Sequence, residues 1–314
     1  MEEKQMITAD IKAEALRLGF DVCGIAKAEP VPLYLQQAYT RWIAQGMHGN
    51  MDYLARNLDK RFDPTLLVEG VKSIVCVAMN YYPVTELDAD TYQLAWYAYG
   101  KDYHEVLKEK MVTLFATLKE RYPQLEGRCF CDTAPVLERY WAQQAGLGWR
   151  GKSTQLIIPH HGTSFFLGEL FLNVELDYDK PTENHCGTCM ACHEQCPAQA
   201  LYMDAETGLG FLNANRCLSY QTIENRGELS QEAQQSMGTS IYGCDQCQKA
   251  CPNNRFAQPN THAEFQPSEE LRQMKRSDWE KLSVEQYRIL FKGSAVKRAK
   301  YEGLVRNIKA ASKK

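Results

Sequence analysis

The run Cys186-Gly-Thr-Cys189-Met-Ala-Cys192-His-Glu-Gln-Cys196-Pro197 is answered further along by Cys244-Asp-Gln-Cys247-Gln-Lys-Ala-Cys251-Pro252, and Cys217 stands alone between the two arms. Thiolates are soft ligands that select iron–sulfur clusters and zinc. Three of them at two-residue gaps on a tight turn can cap three irons of one cubane. The cysteine three residues further on, turned aside before a proline, points away from that cubane and is available to a second. Symmetry between the arms then assigns Cys186, Cys189, Cys192 and Cys251 to one [4Fe–4S] cluster. Cys196, Cys217, Cys244 and Cys247 hold the other, with Cys217 in the place of the first cysteine that the second arm lacks.

The first arm matches the bacterial two-cluster ferredoxin spacing, in which the fourth cysteine serves the other cluster. A structural zinc site would bring separated Cys-x2-Cys pairs, not a triplet with a fourth cysteine and a proline, so clusters are the expectation. Four of the twelve cysteines remain. Cys76 lies in an apolar run and reads as core packing, as does Cys23. Cys129 and Cys131 flank Phe130 and read as packing too, with a place facing a site as the alternative.

The rest of the composition is that of an ordinary globular protein, 44% hydrophobic and 24% charged, with a formal charge of −3 from 36 basic and 39 acidic residues. Such a balance exerts no global pull toward nucleic acid or membrane, so any such affinity is local. No window approaches the roughly 18 apolar residues of a membrane span. Residues 1–10 lack a secretory layout, and no twin-arginine pair occurs. Cysteines without an export signal point to metal or redox use in the cytoplasm.

Periodicity predicts a helix over 8–19 closing at Gly19, a buried strand over 74–79 and a helix over 105–122. A further helix is expected over 135–145, with Pro135 in its first turn and Gly146 as its stop, then strand structure over 163–174 around Gly168. This alternation implies an α/β sandwich over 1–180. Cysteine, glycine and proline dominate 181–260, and a short helical tail fills 261–314. Some 180 residues ahead of the clusters make a bare electron carrier too small an answer. No Gly-x-Gly-x-x-Gly follows a strand, and no P-loop or His-Glu-x-x-His occurs.

CDTAPVLERYWAQQAGLGWRGKST (131–154) resembles the Asp-Thr-Ala-Pro…Gly-Leu-Gly-Trp-x-Gly-Lys segment of epoxyqueuosine reductases. HGNMDYLARN (48–57), YAYGKDYH (97–104), SFFLGELFL (164–172), CLSYQTIE (217–224) and IYGCDQCQKACPNN (241–254) look like the same family. The resemblance implies an α+β chain: a nitroreductase-like α/β domain binding cobalamin base-off, a two-cluster ferredoxin-like domain, and the helical tail. It also implies kinship with corrinoid reductive dehalogenases. The implied reaction reduces the epoxide of a modified wobble base in tRNA to the alkene with loss of water, a task for two electrons and two protons. The implied partners are that tRNA and an electron donor of flavodoxin or ferredoxin type; the chain is expected to be monomeric. Longer relatives extend into a helical RNA-binding repeat. The rivals are a corrinoid dehalogenase, which normally carries a twin-arginine signal, and a non-catalytic iron–sulfur carrier, which would bind no corrin.

Within the quoted segments, the resemblance makes Asp132 the acid that protonates the opened epoxide, which requires burial to raise its pKa. From spacing alone, Asp132 serves equally as the cap of the helix expected at Pro135. Gly146, Gly148 and Gly151 suit either a close approach to a bulky ligand or plain turns. The resemblance places Lys152, Ser153 and Thr154 against the corrin, and Arg56, Arg61 and Tyr97 are candidate partners for its amide arms or phosphate. Ser219, Thr222 and Asp245 are set beside the second cluster by Cys217 and Cys244, to contact cofactor or substrate or to support cluster sulfurs. The tail from 292 to 314 carries eight basic residues against Glu302, a charge of +7. Lys297, Arg298 and Lys300 lie at its centre, suited to RNA phosphates or to a solvated helix end.

Overall fold

Ser73–Asn80 reads SIVCVAMN and is buried at every position, as a strand covered on both faces should be. The computed structural model describes residues 3–312, and this strand, β2, runs through the heart of it. Val22–Lys27 (β1) and Phe165–Leu172 (β4) flank β2, and Gly127–Phe130 (β3) completes the sheet in the order β1-β2-β4-β3. All three pairings are antiparallel. Side chains alternate across the pleat. Val75, Val77 and Leu170 therefore face one hydrophobic cluster, and Ile74, Cys76 and Phe171 the other.

The first face is covered by Glu3–Arg17 (α1) and Tyr103–Arg121 (α2). Helix α2 opens on Asp102, whose side chain accepts the His104 N–H, and closes on Lys119 and Arg121, in keeping with its dipole. Gly168 lets α2 approach: a Cβ there would sit 3.2 Å from the Met111 sulfur. The second face is covered by Glu138–Gln144 (α3), through Trp141 and Ala142. The result is a mixed α/β arrangement, helix on sheet on helix.

The expected strands and the 105–122 helix stand where the periodicity put them. Two helices differ. The first already runs from Glu3, five residues ahead of the expected start at 8. The helix expected from Pro135 begins only at Glu138. Residues 131–137 form a loop instead, entered through Asp132 in a left-handed turn at φ +50°.

After residue 180 the chain carries short elements: a hairpin of Leu201–Met203 with Gly210–Leu212 and helix Leu218–Ile223 (α4) directly after Cys217. The strand Ser240–Tyr242 pairs parallel with Gln93–Leu94, stitching this region to the first. The tail is a series of short helices ending in Lys300–Ala311 (α5). It packs rather than trails: Asn307 is fully buried, its amide donating to the carbonyls of Thr222 and Ile241 at 2.8 Å each. One hydrophobic cluster includes Ile7, Leu170, Ile241 and Ile308, so it crosses all three sequence segments.

Candidate functional site

Between the sheet, the cysteine loops and the 131–137 loop lies a cleft of about 340 Å³, opening into about 1450 Å³ of atom-free space including its mouth. One wall carries Cys196, Cys217, Cys244 and Cys247, with Ser219 and Asp245 among them. These four cysteines sense one another's charge. Cys192 and Cys251 instead sense Cys186 and Cys189. The cysteines thus fall near one another in the same two sets, the first toward the surface, where Cys189 is exposed, and the second on the cleft. Among the described residues no three His, Cys, Asp or Glu side chains form a group that could hold a metal ion.

Tyr97, Tyr103, Asp132 and Glu138 also line the cleft. Asp132 Oδ2 accepts the Tyr103 O–H at 2.5 Å and lies 3.5 Å from His104 Nε2. His104 Nδ1 lies 2.7 Å from Asp102. Burial opposes charge on this imidazole, but hydrogen bonds to Asp102 and Asp132 outweigh it and lift the pKa to about 9. The expectation that burial would raise Asp132 is corrected. Burial does push that way, but hydrogen bonds from His104 and Tyr103 and the charges of His104 and Arg139 hold it below the usual carboxylate range. At neutral pH the pair is an imidazolium beside a carboxylate, with the proton on His104.

The capping role for Asp132 is also corrected. Helix α3 is capped at Leu137 without a side-chain bond, and the Asp132 backbone N–H donates to Glu138 Oε1. That contact belongs to a carboxylate cluster. Burial, then the Asp132 charge, raises Glu138 to about 8. Glu169, fully buried on β4, is pushed well above its ordinary value by burial and by Glu138 and Asp132.

The other expected site residues divide. Tyr97, Ser153, Thr154, Ser219 and Asp245 line the cleft. Tyr97 O–H bonds the Tyr242 hydroxyl at 3.2 Å, and Asp245 accepts the Trp96 N–H at 2.7 Å. Lys152 does not line it; its ammonium donates to the carbonyls of Gly187 (2.7 Å) and Cys189 (3.1 Å), bracing the first cluster loop. Thr222 is buried within α4, accepting the Gly243 N–H. Arg61 is buried beneath the Tyr39 ring and donates to the Tyr53 carbonyl, and Arg56 is exposed on the 55–57 turn; neither lines the cleft. The glycine loop meets protein rather than ligand: a Cβ at Gly148 would lie 2.1 Å from the Ile157 carbonyl, and one at Gly151 2.6 Å from the Ile157 side chain.

Lys297, Arg298 and Lys300 are exposed. Arg298 forms a two-point pair with Glu224 at 2.8 Å and stands 6.0 Å from the Tyr53 ring, which in turn senses Asp132. Arg306 turns inward to the carbonyls of Gln221, Asn225 and Gly227, and Lys313 and Lys314 lie outside the described residues.

A cleft lined by four cysteines and by Asp132, which pairs with His104, fits an iron–sulfur oxidoreductase. Residues 61–133 match the family model "Epoxyqueuosine reductase QueG, DUF1730", and residues 185–254 match the "4Fe-4S double cluster binding domain". A protein named epoxyqueuosine reductase from Cellulophaga algicola is 41% identical over 98% of this chain and 99% of its own length. Among solved structures, an epoxyqueuosine reductase with a tRNA-Tyr epoxyqueuosine-modified stem loop superposes with TM-score 0.86, 27% identity, and coverage of 98% of this chain and 80% of that one. The Bacillus subtilis epoxyqueuosine reductase with its catalytic aspartate loop swung out of the active site has TM-score 0.86 at 27% identity, covering 98% of this chain and 81% of that one. The chain belongs to the epoxyqueuosine reductase family.

Proposed function

We propose that this chain reduces epoxyqueuosine to queuosine at the wobble position of tRNA, with cobalamin in the cleft and a [4Fe–4S] cluster on each cysteine quartet. The observation that carries the reading is the cleft itself, lined both by four cysteines and by the carboxylate of Asp132. Ser153, Thr154 and Tyr97 line the cleft and are the residues that would hold the corrin. Bound there, cobalamin would supply a cobalt centre able to take electrons and react at the epoxide carbon, and the clusters would supply those electrons singly.

Asp132 and His104 hold one proton between them beside the reacting position. Opening the ring leaves an oxyanion, and transfer from the imidazolium through the carboxylate neutralises it. Tyr103, donating to Asp132, fixes the direction of that carboxylate. A relative whose catalytic aspartate loop swings out supports mobility of the 131–137 loop as the means of substrate entry. Lys297 and Lys300, with Arg298 beside Tyr53, form the surface for the stem-loop phosphates.

The clusters are charged by a small donor of flavodoxin or ferredoxin type, and the enzyme works as a cytoplasmic monomer. None of the described helices is long and apolar enough to cross a membrane. Reconstitution with cobalamin tests the reading: the bound corrin spectrum should appear at one per chain, and tRNA from a deletion strain should accumulate the epoxide. A chain that takes up no corrin is an iron–sulfur carrier instead.

A further inference from the structure

In the proposed function the cleft is taken by cofactor and tRNA, so the electron donor needs another face. The cysteines that line the cleft are those of the second set, Cys196, Cys217, Cys244 and Cys247. The first set lies elsewhere. Cys189 is exposed, and Cys251 lines a separate hollow of about 450 Å³ that shares no lining residue with the cleft. Among the described residues no three of these sulfurs converge as around a single metal ion. That suits a cubane, in which each thiolate binds a different iron.

The short helix Gln246–Lys249 connects the two places. Cys247 on it lines the cleft, whereas Lys249 and the following Cys251 line the hollow. Lys249 holds its ammonium 4.7 Å from the centre of the Trp96 ring and 2.6 Å from Glu86. Both members of that ion pair are exposed, at 37% and 46%, so it is weak and can be exchanged for a partner's carboxylate. Arg255 is exposed, stands 4.6 Å from the Phe256 ring and has no carboxylate partner among the described residues. Of the charged residues lining the hollow, two are cations and one, Glu86, is an anion. Residues 246–258 carry those two cations and no acid, in a chain of net charge −3. Apolar surface flanks them: Val84 and Phe256 are 60% and 37% exposed, and Tyr82 meets Trp96 edge to face at 5.1 Å.

Resting on the proposed function, which needs two electrons from outside, we infer that the hollow at Cys251 is where the electron donor docks, and that the donor is a flavodoxin. Electron tunnelling falls steeply with distance, so a donor docks where a ligand of the first cluster nears the surface. Cys251 does so in a concave site lined by Tyr82 and Trp96, which receives a projecting flat ring such as the edge of a flavin. Carboxylates around that ring answer Arg255 and Lys249. Such a contact is small and charged at its rim, as in transient redox pairs. Each encounter passes one electron from the anionic reduced flavin, which becomes a neutral radical, to the oxidised first cluster. No bond forms or breaks, and two encounters supply one turnover.

The test mixes reduced flavodoxin with the full chain carrying both clusters, without tRNA, and follows bleaching of the clusters by stopped flow. Arg255→Glu should lower the second-order rate about tenfold at low salt, and the gap should close as ionic strength rises. Glu86→Gln, which frees Lys249, should raise the rate. Lys119→Glu makes the same charge change at the exposed end of α2 and should leave the rate as in the wild type. Dithionite should reduce all four proteins equally, since it needs no docking surface. A rate untouched by Arg255→Glu, or lowered as much by Lys119→Glu, overturns the docking surface. A reduced ferredoxin that responds to the variants as flavodoxin does overturns the choice of flavodoxin. The readout is cluster reduction, so a wild-type chain that takes electrons in this way yet leaves the epoxide intact refutes the proposed function and not the docking surface.

Discussion

Asp132→Asn separates chemistry from architecture at this site. The side chain exposes 57% of its surface into the cleft and caps no helix, so Asn keeps the size and one oxygen for the Tyr103 O–H. The structural loss is a charge-assisted hydrogen bond of roughly 1–2 kcal/mol before solvent screening reduces it, too little to unfold the chain. The chemical loss is larger. Without the carboxylate, the imidazole of His104 keeps only Asp102 as an anionic partner, and its pKa falls from about 9. The carrier and part of the proton store go together. Turnover of the fully loaded variant should fall by ~10²–10⁴-fold. Residual activity should decline with rising pH earlier than in the wild type, because a raised imidazole pKa retains the proton and a relaxed one releases it. Single-turnover reduction of an epoxyqueuosine stem loop, followed across pH, reads both effects. A near-normal rate with an unchanged pH profile would refute the acid role.

Iron and sulfide should each approach eight per chain on the two-cubane assignment, and Cys217→Ala should remove the second cluster's signal while sparing the first; stoichiometric zinc with little sulfide contradicts it. Lys297→Glu with Lys300→Glu should weaken stem-loop binding and lower the salt slope by about two without changing cofactor loading; unaltered binding at moderate salt assigns these residues to a solvated surface. Glu138, lifted from 4.5 to about 8, favours the folded state below 4.5, and that contribution disappears as pH rises through about 8. Glu138→Gln should therefore flatten the fall in Tm across that window, and an unchanged slope would remove Glu138 as its source. Gly24→Ala would place a Cβ 2.0 Å from the Ala145 carbonyl, so it should cost about 1–3 kcal/mol by overpacking, checked by denaturant unfolding.

The double-cluster region could be read from spacing because short covalent gaps dictate which thiolates share a turn. β2 could be read because a run of apolar residues buried on both faces has few other homes. The start of α3 could not: Pro135 suits a first turn, but the left-handed Asp132 and the Glu138 contact spend those residues on a loop. Tyr103 and His104 escaped assignment because they meet Asp132 only across the fold, 29 positions away in the case of Tyr103. Glu169 did leave a signal, a carboxylate inside an aromatic and aliphatic strand. Lys152, Thr222, Arg61 and Arg306 look functional by type, yet each donates to or accepts from the chain's own backbone, which only tertiary structure reveals.

Purified protein loaded with cobalamin and both clusters, given a low-potential reductant and an epoxyqueuosine-bearing tRNA stem loop, tests the central claim most directly by mass spectrometry of the modified base. The account predicts a product lighter by one oxygen, formed over many turnovers and only when cobalamin is present. An epoxide that survives with full cofactor loading, or one reduced equally well without cobalamin, would contradict it.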